Sequence, residues 1–205
     1  LVTGVSSGIG REIAQLLAER GARVFGTVRN PQSASPIPGV EIVRMEVTDD
    51  ASVNETVHSI LQKAGPIQYL VNNAGYSFMG ALEETSVAEA RQQFETNLFG
   101  VLRVTNAILP GMRQQGDGRI VNISGTASTI VWAPAVTHAL NSAAMNQASG
   151  YLSTDLASQK ITVNTVVPGL VGTEGRAVWA ENMAKQQNVS KDEFVASFCK
   201  RMGIL

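Results

Sequence analysis

Three stretches of this 205-residue chain combine residue types and spacings that can do chemistry. The first is Leu1-Val2-Thr3-Gly4-Val5-Ser6-Ser7-Gly8-Ile9-Gly10, a short apolar run that ends in a glycine-studded turn. A helical pattern, Glu12-Ile13-Ala14-Gln15-Leu16-Leu17, begins directly behind it. Glycines accept positive φ and let a backbone approach a ligand closely. The free N–H groups and dipole of the new helix attract an anion, usually a phosphate. The spacing Gly-x-x-x-Gly-x-Gly is one residue longer than the commonest dinucleotide fingerprint; a plain strand-to-helix turn has the same composition. The second stretch is Asn72-Asn73-Ala74-Gly75, behind the apolar run Tyr69-Leu70-Val71, and the third is Pro168-Gly169-x-x-x-Thr173, behind Ile161–Val167. Each also reads as an ordinary turn.

The elements that must position these residues alternate along the chain. A helix runs from the opening turn to about Arg20 and stops at Gly21, the usual left-handed terminator. Val24–Val28 and Val40–Met45 read as strands, and Ser52-x-x-Glu55 reads as a capping box opening a helix. Ser86-x-x-Glu89 caps a long helical region, one helix or two, that lasts to Met112-Arg113. Strand Arg119–Ser124, a loop with Pro134, helix His138–Ala157 and strand Ile161–Val167 follow, and Ser190-x-x-Glu193 opens a last helix. This order predicts an α/β fold, a Rossmann-type doubly wound parallel sheet in a three-layer α/β/α sandwich. Ligands of such sheets bind beyond the carboxyl ends of the strands, where Gly4–Gly10, Arg29, Asn72–Gly75, Ser124-Gly125 and Pro168–Thr173 all fall.

Composition narrows the function classes. Hydrophobic residues make up 44% and charged residues 16%, a globular balance. A net charge of −1 gives no pull toward nucleic acid or anionic lipid. The one cysteine, Cys199, excludes an internal disulfide and a cysteine-built metal centre, so no metal is expected and a reducing, cytoplasmic setting is. No leader or membrane-length apolar run is visible, and the chain opens inside a strand without an initiator Met, as a trimmed fragment would.

In this register the sequence resembles the classical short-chain dehydrogenase/reductase family over essentially its whole length. Thr3-Gly4-x-x-x-Gly8-Ile9-Gly10, Asn72-Asn73-Ala74-Gly75, Asn97 in Asn-Leu-Phe-Gly, and Pro168-Gly169-x-x-x-Thr173 match its motifs in order. The resemblance implies one NAD(P)-binding domain over 1–205, a nicotinamide cofactor, and hydride transfer between a carbonyl and an alcohol. It implies that Gly4, Ser6, Ser7, Gly8 and Ile9 hold the pyrophosphate and adenosine ribose, and that Asn73, Ala74 and Gly75 pass close to that ribose. Asn72 is expected to brace the sheet instead. Pro168, Gly169 and Thr173 would orient the nicotinamide, and Glu46 and Val47 would stand near the adenine. At the end of the second strand, where an acid would select NAD, this chain has Val28 and then Arg29. A guanidinium suits a 2′-phosphate through paired donors, so NADP(H) is expected over NAD(H).

The resemblance departs at the catalytic centre. The family's Tyr-x-x-x-Lys pair is absent: its helix aligns as His138-Ala-Leu-Asn-Ser142, with His138 at the tyrosine position and Ser142 at the lysine position. Thirteen residues earlier, in the family's serine position, stands Gly125, flanked by Ser124 and Thr126. Of the usual four catalytic residues, Asn97 alone is kept, and an asparagine inside a helix implies a polar task. Three readings stay open. His138 replaces the tyrosine as general acid, with Thr126 or Ser124 as its partner; or the fold binds NADP(H) with little turnover, as a sensor or inactive partner subunit; or His138 is a partly buried polar residue only.

By the same resemblance, 172–205 forms substrate-lid helices, with Val178, Trp179, Met183, Phe194, Val195 and Phe198 on their apolar faces; simple packing accounts for them equally well. Trp132 and Met79 add to an apolar or mid-sized small-molecule carbonyl or alcohol substrate. The chain stops at Gly203-Ile204-Leu205, ahead of the family's last helix and strand. A homodimer or homotetramer through the long helices is expected, with no nucleic acid or membrane partner. His58 sits on a solvated helix face and needs no function.

Overall fold

The computed structural model describes residues 1–132 and 134–201; the expected stop at Gly203-Ile204-Leu205 lies outside them. Strand β1 (Val2–Thr3) enters the glycine turn and helix α1 (Gly8–Glu19) leaves it. Then come β2 (Val24–Val28), β3 (Val40–Arg44), α2 (Asp50–Ala64), β4 (Tyr69–Asn72), α3 (Val87–Phe94) and α4 (Gly100–Gln115). The chain continues through β5 (Gly118–Ile123), α5 (Val136–Leu156), β6 (Ile161–Val166), α6 (Glu174–Gln187) and α7 (Lys191–Arg201). Among the described residues the strands form one parallel sheet in the order β3-β2-β1-β4-β5-β6. The winding reverses between β1 and β4, the crevice where open α/β sheets bind ligands.

Two apolar clusters hold the layers. Val53, Val57 and Ile60 of α2 join Val104, Ile108 and Met112 of α4 with Phe25, Leu70, Ile120 and Val163 from the strands. Ala14 of α1 packs with Val2, Val24, Val28 and Val71, backed by Ile13 and Leu17. The expected three-layer α/β/α arrangement is therefore the observed one.

The local differences have physical causes. Helix α2 starts ahead of the expected box, because Asp49 caps it by accepting the Ala51 N–H at 2.9 Å, and a carboxylate suits a helix start. Ser52 is buried within the first turn, where its Oγ accepts the Glu46 N–H at 2.9 Å. The Ser86–Glu89 and Ser190–Glu193 boxes form as expected. The long helical region divides into α3 and α4 around a π-turn, Glu95–Phe99. Helix α5 opens at Val136 rather than His138. His58 is exposed and pairs with Gln62 on its own helix.

The chain divides into two compact units, Leu1–Val167 and a second from Pro168 onward. In the second, Trp179 of α6 meets Phe194 and Phe198 of α7 edge-on, with ring centroids 5.3 Å apart in both pairs. The Arg176 guanidinium lies 4.3 Å above the Trp179 ring centroid, and burial lowers its pKa. Val178 and Val195, expected on the apolar faces, are exposed.

A buried amide ladder ties the sheet to α4 and α5. Asn72 Nδ2 donates to Thr105 Oγ1 at 3.2 Å and to Asn122 Oδ1 at 2.9 Å. Asn122 Nδ2 donates to Ser149 Oγ at 2.9 Å, and that hydroxyl donates to the Met145 carbonyl. Asn72 thus braces the sheet, as its sequence context implied. Replacing Asn122 by Ala leaves Asn72 and Ser149 buried with lost partners. The expected loss is about 2 kcal/mol in denaturant-unfolding free energy, whereas Asn164→Ala on the exposed β6 position costs well under half of that.

Candidate functional site

At the carboxyl end of β1 the backbone turns through Gly4 (φ 72°) and Gly8 (φ 58°), values that favour glycine. The turn is locked to the loop after β4. Buried Thr3 accepts the N–H groups of Asn73 and Ala74 at its Oγ1, both at 3.0 Å. In return Asn73 Nδ2 donates to the Thr3 and Gly4 carbonyls at 3.0 and 2.9 Å. Two glycines make room for this. A Cβ on Gly4 would stand 2.7 Å from Ala74 Cα, and one on Gly10 would stand 2.2 Å from Asn73 Nδ2 and 2.5 Å from the Gly4 carbonyl. The Asn73 side chain is thus spent within the protein.

Helix α1 begins at this turn with no side-chain cap: Ser7 stands at the capping position without bonding the helix, and the first turn holds no acid. Its first N–H groups, beside the exposed Ser6 and Ser7 hydroxyls and half-buried Gly8 and Ile9, have no side-chain cap, and helix starts of this kind can bind an anion. Arg29 follows β2 and is exposed. Arg11 is committed to the Ser35 and Pro36 carbonyls, at 3.0 and 2.8 Å. At the end of β3, Glu46 turns its carboxylate onto Thr48, accepting from the N–H at 3.2 Å and the hydroxyl at 3.0 Å. Val47 is buried, gives its carbonyl to Arg103 Nη1 at 2.8 Å, and lies where a Cβ on Gly100 would meet its Cγ2 at 2.9 Å. In the second unit, Gly169 is exposed and Thr173 caps α6, its Oγ1 accepting the Arg176 N–H at 3.3 Å.

Around β4 and β5 the arrangement differs from expectation. Asn97 lies on the π-turn, and π-turns inside helices are frequent at functional sites. Its Oδ1 accepts the Tyr76 N–H at 3.1 Å and its Nδ2 donates to the Tyr76 carbonyl at 2.7 Å. The polar task implied for Asn97 is a clamp on the Tyr76 backbone. Gly75 permits the approach, since a Cβ there would lie 3.0 Å from Asn97 Oδ1. Two residues on, the Phe78 N–H donates to Gln93 Oε1 at 3.2 Å, which also accepts the Thr137 hydroxyl at 3.2 Å. Gln93 is fully buried.

His138 sits in the first turn of α5. The hydroxyl beside its ring is that of Ser77, with Oγ 3.1 Å from Nδ1. The expected partners are a correction: Ser124 Oγ donates to the Ser142 carbonyl at 3.3 Å, and Thr126 opens a short 3₁₀ turn, Thr126–Ser128. The imidazole lies against Gly125, where a Cβ would stand 2.5 Å from Nε2 and 2.9 Å from Cε1. A serine there and this imidazole compete for one space. Ser142 is buried with its Oγ 3.2 Å from the same point. Sequence reading missed Ser77 and Gln93; neither type nor spacing marks them, because their partners lie 61 and 44 residues away. Among the described residues, no group of three His, Cys, Asp or Glu is placed to hold a metal. No described helix is long and apolar enough to cross a membrane.

Comparison with known proteins agrees with this fold. The family model for short chain dehydrogenases matches residues 1–184. The chain is 35% identical over 179 residues to the 3-oxoacyl-(acyl-carrier-protein) reductase FabG of Vibrio cholerae, covering 85% of this chain and 73% of the relative. It is 42% identical over 124 residues to a 3-ketodihydrosphingosine reductase of Bacteroides thetaiotaomicron, covering 60% and 45%. Among solved structures, an actinorhodin polyketide ketoreductase with NADPH superimposes with a TM-score of 0.85 at 32% identity, covering 94% of this chain and 77% of that one.

The interlock of Gly10 with Asn73 is directly testable. In Gly10→Ala the new Cβ evicts the Asn73 amide and leaves the Thr3 and Gly4 carbonyls short of a donor. Thermal unfolding should show a loss of about 2 kcal/mol, while Gly21→Ala, with open space around its Cβ position but a positive φ, should cost about 1 kcal/mol.

Proposed function

The chain belongs to the short chain dehydrogenase family, and on that premise we propose that it is a nicotinamide-dependent oxidoreductase interconverting a ketone and an alcohol, with NADP(H) preferred over NAD(H). The observation that carries the proposal is the interlocked turn: Gly4 and Gly8 take the positive φ it needs, Gly4 and Gly10 let the loop after β4 pack against it, and α1 opens at it uncapped. These residues fit a dinucleotide. Gly4, Ser6, Ser7, Gly8 and Ile9 would hold its pyrophosphate and adenosine ribose, with Asn73 (through its backbone), Ala74 and Gly75 alongside. Glu46 and Val47 would border the adenine, and Arg29 would take a 2′-phosphate. Pro168, Gly169 and Thr173 are assigned to the nicotinamide end by family resemblance alone. When bound, the cofactor supplies or accepts a hydride.

The chain's own residues supply the rest. His138 is the group able to give a proton to a carbonyl oxygen or take one from an alcohol. Asn97 acts by holding the Tyr76 loop in place rather than by touching the reacting atoms. A ketone is supported by the relatives' names, which specify 3-oxoacyl, 3-keto and ketoreductase. An apolar substrate is supported by exposed Tyr76, Met79, Leu82 and Val131, on segments that the Gly80–Ala135 bridge joins. Exposed Phe99, Leu140 and Tyr151 support a homodimer or homotetramer through the long helices.

A second reading, nucleotide binding without appreciable turnover, is favoured by one observation: buried, uncharged Ser142 occupies the family's lysine position. Two measurements decide. Fluorescence titration should show NADPH binding more tightly than NADH, and Arg29→Asp should weaken NADPH roughly tenfold with little effect on NADH. No binding of either nucleotide overturns both readings. With NADPH bound, turnover of 3-keto thioesters and apolar ketones should fall by ~10²–10⁴ in His138→Ala. Undiminished turnover removes His138 from the mechanism, and binding with no turnover in the wild type establishes the second reading.

A further inference from the structure

We infer that Ser77 is a positioning residue for His138: its hydroxyl donates to Nδ1 and holds the neutral imidazole in the tautomer with N–H at Nε2, facing Gly125. The inference rests on the proposal that His138 is the acid of a ketone reductase. A neutral imidazole carries one proton, and the hydrogen bond to the other nitrogen selects which atom bears it. Ser77 Oγ lies 3.1 Å from Nδ1, and a hydroxyl both donates and accepts, so the bond alone allows either tautomer.

Position breaks the tie. His138 is in the first turn of α5, a turn with no acidic residue. There the helix dipole opposes a cation, and a neutral ring can still donate a hydrogen bond, as in enzymes that use neutral imidazole as an electrophile. Nε2 points into the space where the family carries its serine side chain, only 2.5 Å from the position of an absent Gly125 Cβ. A donor is useful there only if Nε2 bears the proton. That requires Nδ1 to accept, and Ser77 to donate.

The fold keeps Ser77 in place from both sides. Asn97 grips the N–H and carbonyl of Tyr76, the preceding residue. Gln93 grips the N–H of Phe78, the following residue, and the hydroxyl of Thr137, the neighbour of His138. The loop and the start of α5 are thereby fastened to one buried amide. Such a bond is preorganised, not adventitious.

Ser77 also closes the proton balance without the missing lysine. A ketone carbon gains two electrons as hydride from reduced nicotinamide, and its oxygen must gain one proton. Nε2 gives that proton while Nδ1 takes the Ser77 hydroxyl proton. Ser77, being exposed, recovers one from water. The imidazole ends neutral, with its proton moved to Nδ1, and water returns it to Nε2 before the next turnover.

The test uses ¹⁵N-histidine-labelled full chain without nucleotide; there are two histidines, and His58→Gln assigns the spectrum. Long-range ¹H–¹⁵N correlations at a pH where the ring is neutral should show one tautomer for His138, protonated at Nε2. Ser77→Ala should shift both ring nitrogens toward a larger share of the Nδ1-protonated tautomer, and Ser77→Thr should restore the wild-type pattern. A wild-type ring protonated at Nδ1, or a Ser77→Ala spectrum identical to wild type, overturns the inference. In turnover, Ser77→Ala should lower kcat roughly fivefold to tenfold, the factor one neutral hydrogen bond sustains, with NADPH affinity unchanged and Ser77→Thr restoring the rate. Unchanged kcat in Ser77→Ala overturns the role of Ser77. The spectra decide the tautomer even if the wild type reduces nothing, so that result would overturn the reductase reading separately.

Discussion

Asn73 fills the space that Gly10 leaves beside the Gly4 carbonyl, and the carboxyl edge of the sheet depends on that fit. Its amide donates to the Thr3 and Gly4 carbonyls while Thr3 Oγ1 accepts the N–H groups of Asn73 and Ala74. Four hydrogen bonds therefore join the first strand's turn to the loop after β4, across the point where the sheet reverses its winding. Each such bond is worth about 1 kcal/mol net, but leaving a buried partner unpaired costs more. The turn is held open because closing it would strip these groups of their partners. With the loop's polar groups satisfied internally, the uncapped start of α1 is left facing outward as a set of donors.

The same loop carries order toward the other end of the site. Asn97 on the π-turn and Gln93 on α3 clamp the residues on either side of Ser77, and Gln93 also holds Thr137 at the start of α5. The outcome is a hydroxyl against an imidazole and an imidazole against a glycine. The ring takes the volume a side chain at 125 would need, so a Cβ at 125 requires the imidazole to move. A single restored motif residue, such as Gly125→Ser, would meet Nε2 before it met a substrate.

Much of the fold was legible because periodicity and punctuation act locally. The Gly21 stop, the Ser86 and Ser190 capping boxes and the alternation of strands with helices depend on neighbours within a turn or two. Ser52-x-x-Glu55 misled because two capping sequences overlap, and the carboxylate of Asp49 outcompetes a hydroxyl that has a buried use holding the Glu46 N–H. At the site, the glycine spacing and the polar demand on Asn97 were readable as types in sequence. Their partners were not.

The residues themselves determined the strand–turn–helix at the start, the parallel α/β architecture, and the lack of any Tyr-x-x-x-Lys sequence. Those follow from local propensity, spacing and residue identity. Only the tertiary structure decided that Asn73 is spent inside the protein, that Asn97 clamps Tyr76, and that Ser77, rather than Ser124 or Thr126, stands beside His138. These are contacts between residues from 18 to 70 positions apart. Hydrogen-bond partners at such separation are selected by packing of the sheet and helices, which no local pattern encodes.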